Sequence, residues 1–174
     1  MIKTEQKLSS KNTSINKNQA PIIVKEVAKR VGWIPGSKNL DLGGGRYDIL
    51  TEKLHDEHSV TNLIYDPFNR SEEHNKQILQ SLEEEKADTV TISNVLNVVQ
   101  EIDERINIIK NAHNYLKDGG SAFITVYEGN KSNIGKETKK DQFQLNKPMQ
   151  DYIEEVSQVF EHAEIKGKLI ICKK

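Results

Sequence analysis

Apolar residues recur along this chain at two alternating periods, one of three to four residues and one of two. From Pro21, a residue suited to the first turn of a helix, the apolar positions Ile23, Val24, Val27, Ala28 and Val31 predict a helix that Gly32 and Pro35 end. The run Asn39-Leu40-Asp41-Leu42 then drops into Gly43-Gly44-Gly45, and helical spacing resumes at Ile49, Leu50 and Leu54, which reads as strand, glycine turn and helix. Residues 61–65 predict a second strand ending at Asp66-Pro67, and Ser71 can cap a polar helix that runs to about Glu85 through Ile78, Leu79 and Leu82. Residues 88–93 predict a third strand. An amphipathic helix follows from about Asp103 to Leu116, stopping at Gly119-Gly120, and residues 122–127 form a fourth strand. Both periods fail over residues 128–147, a polar stretch with five lysines that reads as a long loop. Residues 149–160 return to helix, with Tyr152, Ile153, Val156 and Val159 or Phe160 on one side, and residues 163–165 and 169–172 around Lys166-Gly167-Lys168 resemble a hairpin.

Strands alternating with helices imply an α/β fold, a three-layer arrangement of one mainly parallel sheet covered on both faces, to which the terminal hairpin adds an antiparallel strand. At 174 residues the chain fits one domain, taken as 21–174. Residues 1–20, rich in Lys, Ser, Asn and Gln, read as a polar arm, disordered or ordered on contact. The arm has no apolar core of a secretory signal, no apolar run is long enough for a membrane span, and a cytoplasmic protein without a membrane partner is expected. The lone Cys172, set in an apolar strand, reads as a buried inert thiol, and no Cys/His ligand spacing suggests a metal. With 25 basic and 26 acidic side chains, the overall charge gives no reason to expect tight sequence-independent DNA binding.

The chemistry concentrates at the strand ends. Glycines between a first strand and its helix let the backbone approach a ligand in the crevice at the carboxyl ends of the strands. The segment lacks the Gly-Lys-Ser/Thr ending of a phosphate loop and is not Gly-x-Gly-x-x-Gly, while Asp41 at the strand end favours a ligand carrying positive charge. Asp66, 21 residues beyond Gly45 at the end of the second strand, can accept hydrogen bonds from ribose hydroxyls. The pair suits a ribose-bearing cation.

In these residues the chain resembles the class I S-adenosylmethionine-dependent methyltransferases. Asp41-Leu42-Gly43-Gly44-Gly45 is similar to their glycine motif and Asp66 to their ribose-binding acid; the resemblance implies the family's Rossmann-like sheet and S-adenosylmethionine as cofactor. It assigns Asp41, Gly43, Gly44, Gly45, Asp66, Pro67, Phe68 and Asn94 to cofactor binding, with Pro67 and Phe68 flanking the adenine. Asn94, in Thr91-Ile92-Ser93-Asn94-Val95-Leu96-Asn97, falls near the transferring methyl group, and Leu116-Lys117-Asp118-Gly119-Gly120 is similar to the family's post-helix turn. Tyr65-Asp66-Pro67-Phe68-Asn69-Arg70 and Ser93-Asn94-Val95-Leu96-Asn97-Val98 most resemble small phage and bacterial members of unassigned substrate. The stretch between Asp66 and Asp88 is too short for the usual helix, strand and helix, so one edge strand of the sheet is expected to be absent, and pairing with a second copy is one remedy for the edge it leaves.

The acceptor motifs of DNA amino-base and ring-carbon methylation are absent, leaving an oxygen or nitrogen acceptor on a small molecule, protein or nucleic acid. Asn94 and Glu128 are the candidate catalytic residues, Glu128 as base where the acceptor must lose a proton. The segment Gln144-Leu145-Asn146-Lys147 can close over the site, and Lys131, Lys136, Lys139 and Lys140 form a basic run. Two other classes fit the same residues: a cofactor-binding interaction or regulatory module without chemistry, and a nucleic-acid-binding accessory protein.

Overall fold

A computed structural model of the chain describes residues 6, 18–139 and 141–174, with the side chain of Lys139 left out. Most of the arm over 1–20, and Lys140 of the basic run, lie outside the described residues.

Among the described residues, eight strands and five α-helices follow in the order α1 (Ile22–Arg30), β1 (Lys38–Leu42), α2 (Ile49–His58), β2 (Thr61–Tyr65), α3 (Glu72–Glu84), β3 (Ala87–Ser93), α4 (Ile102–Tyr115), β4 (Leu116–Thr125), β5 (Gly135–Lys139), β6 (Gln142–Leu145), α5 (Ile153–Val156), β7 (His162–Lys166) and β8 (Leu169–Lys173). Six strands form one sheet in the order β2-β1-β3-β4-β8-β7. The first four are parallel, and the C-terminal hairpin adds β8 antiparallel to β4 and β7 antiparallel to β8. Helices α3, α4 and α5 and the turn before α5 bury Leu82, Ile109, Val156 and Tyr152 against Leu40, Val90, Ile92 and Ile124 on one face. On the other face α1 and α2 bury Ile23, Val24, Val27, Leu50 and Leu54 against Phe123, Leu169 and Ile171. The expected three layers are present, and Cys172 lies buried in the core, its thiol pushed up to about 12 by burial.

Several boundaries differ from the sequence reading, among them the fourth strand, expected over 122–127 and found as Leu116–Thr125, which takes in the five residues expected as a turn. Pro21 sits just before α1 rather than in its first turn. Helix α4 stops at Tyr115, short of the two glycines, because Leu116 already pairs with Ala87; the open carbonyls of His113 and Leu116 each accept from Lys174 Nζ at 2.9 Å. The helix expected over 149–160 is a 3₁₀ turn, Met149–Tyr152, followed by the single turn of α5, although Tyr152, Val156 and Phe160 are buried as the spacing demands. The loop expected over 128–147 holds an antiparallel hairpin, β5 with β6, whose register pairs Gly135 with Leu145 and Glu137 with Phe143. Its alternation is hidden by the polar character of β5, and what anchors it is Phe143, whose ring lies where a Cβ on Gly135 would stand, 2.3 Å from Cζ.

The sheet ends at β2, since a single helix connects β2 to β3 and, among the described residues, no further strand lies outside it. That edge is not bare. The Asn75 carboxamide accepts from the Asp66 N–H at 3.0 Å and donates to the Asp66 carbonyl at 2.9 Å, the two-point pattern a peptide of a neighbouring strand would make. One residue back, His74 Nε2 lies 2.8 Å from the Ile64 carbonyl oxygen. Ser71 caps α3 and so fixes the start of the helix that carries both side chains. Pairing through β2 with a second copy would have to displace them. Asn75→Ala leaves the buried Asp66 N–H unpaired, while the Asp66 carbonyl keeps the Arg70 N–H at 3.1 Å, and a loss of about 1–3 kcal/mol is expected in urea unfolding.

Candidate functional site

The chain leaves β1 for β2 on one side, while β3 lies on the other side of β1. The carboxyl ends of β1 and β3 therefore form a topological switch point, where the crevice of an open α/β sheet opens. Three loops meet there: the glycine turn after β1, the Asp66–Arg70 turn after β2 and Asn94-Val95 after β3.

The glycine turn is fixed from several directions. Gly43 continues the parallel ladder by donating to the Tyr65 carbonyl at 2.8 Å. Its φ of +75° and that of +74° at Gly45 lie in the left-handed region. A Cβ on Gly43 would stand 2.7 Å from Val95 Cγ2, and one on Gly44 would stand 2.3 Å from Asp41 Oδ2, so the backbone presses directly on both neighbours. The peptide groups of Gly45 are held by the turn after β2. Asp66 Oδ2 accepts the Gly45 N–H at 2.9 Å, and Arg70 Nε donates to the Gly45 carbonyl at 2.7 Å. Arg70 also donates to the Tyr47 carbonyl and to Asp48.

Asp66 is 4% exposed and takes further hydrogen bonds from the N–H groups of Phe68 and Asn69 and from the Asn69 carboxamide. Pro67 is exposed and Phe68 half-buried beside it. Asn94 is half-buried with φ of +55°, a conformation that Asn tolerates better than most residues, and its N–H donates to the Thr125 carbonyl at 2.9 Å.

Asp41 stands beneath this turn at the end of a buried polar ladder. Asn62 donates to Thr51, Asn39 donates to both Asn62 and Thr91, Thr89 donates to Asn39, and Thr91 Oγ1 donates to Asp41 Oδ1 at 2.8 Å. The ladder runs across β2, β1 and β3 on the α2 side. Burial, with the nearby Asp66 charge adding to it, pushes the Asp41 carboxyl up to about 7, against the opposing pull of the Thr91 hydroxyl and Arg70. A carboxyl raised on folding makes the folded state the better proton binder between its unfolded value of 3.8 and about 7. Its contribution to stability therefore falls as pH rises through that window. Asp41→Asn keeps an acceptor for Thr91 and removes the titration. The stability of wild type relative to this variant is expected to decline from about pH 4 to 7 and to level off above, as read by urea unfolding at each pH.

On the far side of the crevice the β5–β6 hairpin is tied to the strand ends. Asn97, in a 3₁₀ turn after β3, donates to Gln144 Oε1 at 3.2 Å; Gln144 Nε2 donates to the carbonyls of Tyr127 and Leu145; and the Tyr127 N–H reaches Asn97 Oδ1 at 3.4 Å. The Tyr127 side chain is 63% exposed. Glu128 accepts the Met149 N–H at 2.7 Å and pairs with Lys131 at 3.1 Å. The Met149 hydrogen bond first, and the Lys131 partner after it, outweigh desolvation and hold its carboxyl below the ordinary range.

The structure thus brings Asp41, the three glycines, Asp66 and Asn94 to one end of the sheet and sets Glu128 in the linker to the hairpin. Sequence reasoning missed Arg70, Asn75 and the Asn97–Gln144 pair. Lys131 and Lys136 are exposed on the hairpin side.

Residues 17–169 match a family model described as a methyltransferase domain. Among solved structures, the chain is similar to a T. thermophilus 16S rRNA N2 G1207 methyltransferase in complex with AdoMet and guanosine, at 14% identity and a TM-score of 0.54 over 88% of this chain and 42% of that one. It is similar to PigF with SAH at 17% identity and a TM-score of 0.61, over 91% and 56% of the two chains. A third likeness is to a S-adenosylmethionine-dependent methyltransferase from Clostridium acetobutylicum, at 12% identity and a TM-score of 0.53 over 92% of each chain. The chain spans about half the length of the first two. No curated protein matches it.

Proposed function

The chain belongs to the methyltransferase-domain family, and from that premise we propose that it is an enzyme moving the methyl group of S-adenosylmethionine to an oxygen or nitrogen acceptor. The observation that carries this reading is the glycine turn, held immobile at the switch point by Asp66 and Arg70 with Asn94 across the crevice. The donor set fits the cofactor: left-handed glycine backbone packed without side chains, a buried carboxylate at the end of β2 for the ribose, and Asp41 below the turn. When bound, S-adenosylmethionine supplies an electrophilic methyl group on a sulfonium.

Transfer of that methyl is an in-line displacement, so the chain's contribution is alignment more than acid-base chemistry. Gly43 to Gly45 and Asp66 hold the nucleoside side. Asn94, Tyr127 and the hairpin fixed by Gln144 border the acceptor side. As a base, Glu128 would first have to release the Met149 N–H or Lys131, so the site suits best an acceptor that needs no prior proton removal, such as a neutral amine. The narrower likeness to small phage and bacterial members, and a cytoplasmic location, stay with this reading as proposals; no helix of the described residues is long and apolar enough to cross a membrane.

The test is calorimetric titration with S-adenosylmethionine and S-adenosylhomocysteine, followed by transfer of labelled methyl groups to fractionated small molecules, RNA and protein. Binding with transfer to one fraction supports the enzyme and names the acceptor class. Binding without transfer to any fraction returns the non-catalytic module, and no binding removes both.

A further inference from the structure

Resting on the cofactor reading above, we propose that Asn69 sets the affinity of this pocket for ribose: its side-chain amide holds the place on Asp66 that a ribose diol takes, and a nucleoside must displace it. An ionised carboxylate offers about four lone-pair directions. On Asp66, three are filled by backbone N–H groups, from Gly45 on Oδ2 and from Phe68 and Asn69 on Oδ1, each at 2.9 Å. These belong to the turn itself. What remains is covered by Asn69 Nδ2, which reaches across both oxygens, 3.3 Å from Oδ1 and 3.1 Å from Oδ2. Both contacts are longer than the backbone ones, as expected of one donor shared between two acceptors.

With both directions of Oδ1 taken by backbone N–H groups, a ribose O–H can address Asp66 only at the remaining direction of Oδ2, which the Asn69 amide covers, so the amide and the diol compete for that one place. Asp66 itself is fixed by its buried surroundings, whereas Asn69 is half-buried, so of the two it is the Asn69 side chain that yields to a ligand. Ribose binding then exchanges one set of hydrogen bonds for another, and the Asn69 bonds given up are subtracted from what the diol gains. A nucleoside without the diol neither needs the displacement nor gains by it.

The experiment is calorimetric titration of wild type and Asn69→Ala with S-adenosylhomocysteine, with adenosine and 2′,3′-dideoxyadenosine as competitors. Asn69→Ala is expected to bind S-adenosylhomocysteine about fivefold tighter, the worth of one exchanged hydrogen bond, with a like gain for adenosine and none for dideoxyadenosine. Equal or weaker binding by the variant, or a gain shared by dideoxyadenosine, overturns the proposal. In the wild-type protein the Asn69 side-chain amide resonance should move on saturation with S-adenosylhomocysteine; a resonance that stays still overturns it too, even if the variant fails to fold. If neither folded protein binds S-adenosylhomocysteine, the methyl-transfer reading falls and takes this inference with it.

Discussion

Asp66→Ala is expected to weaken S-adenosylhomocysteine binding by about 100-fold or more, equivalent to about 2.7 kcal/mol. Two losses combine in that figure. One is the acceptor for the ribose, whose hydrogen bonds to a charged group are each worth about 1.5–3 kcal/mol. The other is the post on which the crevice is built, because the same carboxylate receives the N–H groups of Gly45, Phe68 and Asn69. Without it the glycine turn keeps only the Arg70 side of its clamp. The two losses separate experimentally. Arg70→Ala removes the other half of the clamp and leaves the ribose acceptor in place, so its binding loss reports the pre-organisation alone and should be the smaller. Titration of both variants, with thermal melting to confirm that each is folded, checks the order. Unchanged affinity in Asp66→Ala would end the ribose assignment.

Much of this site is legible in the sequence because it depends on backbone. A strand that runs into three glycines and a second strand that ends in Asp-Pro announce a turn and a crevice whatever the surroundings. What stayed hidden depends on which side chains meet across distant segments. Asn39, Asn62 and Thr91 read as polar positions of strands, and nothing in the spacing says that their polar faces converge under α2 into one hydrogen-bonded ladder ending at Asp41. A parallel sheet covered on both faces is ordinarily apolar throughout, so the alternation of Asn39-Leu40-Asp41-Leu42 was the available signal. The absent edge strand followed from chain length, but its replacement by the Asn75 carboxamide did not, since an Asn early in a polar helix looks like any solvated residue. The β5–β6 hairpin escaped for a related reason: its strands bury little besides Phe143, and its hold on the site runs through Asn97 and Gln144 rather than through an apolar face.

Glu155→Ala or Arg105→Ala is expected to cost about 3–5 kcal/mol of folding stability, a large share of the roughly 5–15 kcal/mol typical of a domain. Both side chains are buried, and the pair is bidentate, Arg105 Nε to Glu155 Oε2 at 2.8 Å and Nη2 to Oε1 at 2.9 Å. Arg105 Nη1 also donates to the carbonyls of Val99 and Gln100, and Lys147 Nζ donates to Glu155 at 2.7 Å. Removing Glu155 leaves the Arg105 charge in the core with neutral carbonyls alone, and removing Arg105 leaves Glu155 with Lys147 alone, which is the expensive event. Replacing both with apolar residues of similar size, Arg105→Met with Glu155→Leu, should cost far less. The difference between the singles and the double in urea unfolding measures that stranding. The acid limb carries the same sign: burial pushes the Glu155 carboxyl up, but hydrogen bonds and charge from Arg105 and Lys147 outweigh it and hold it below the ordinary 4.5. The pair's stabilisation is therefore present above that pH and lost as pH falls through the depressed value. The consequence reaches the site, because Gln100 follows the turn that carries Asn97 and Lys147 follows β6. In the single variants, amide exchange at Tyr127 and Gln144 should quicken before the rest of the sheet does, since the hairpin is moored to the strand ends through those residues.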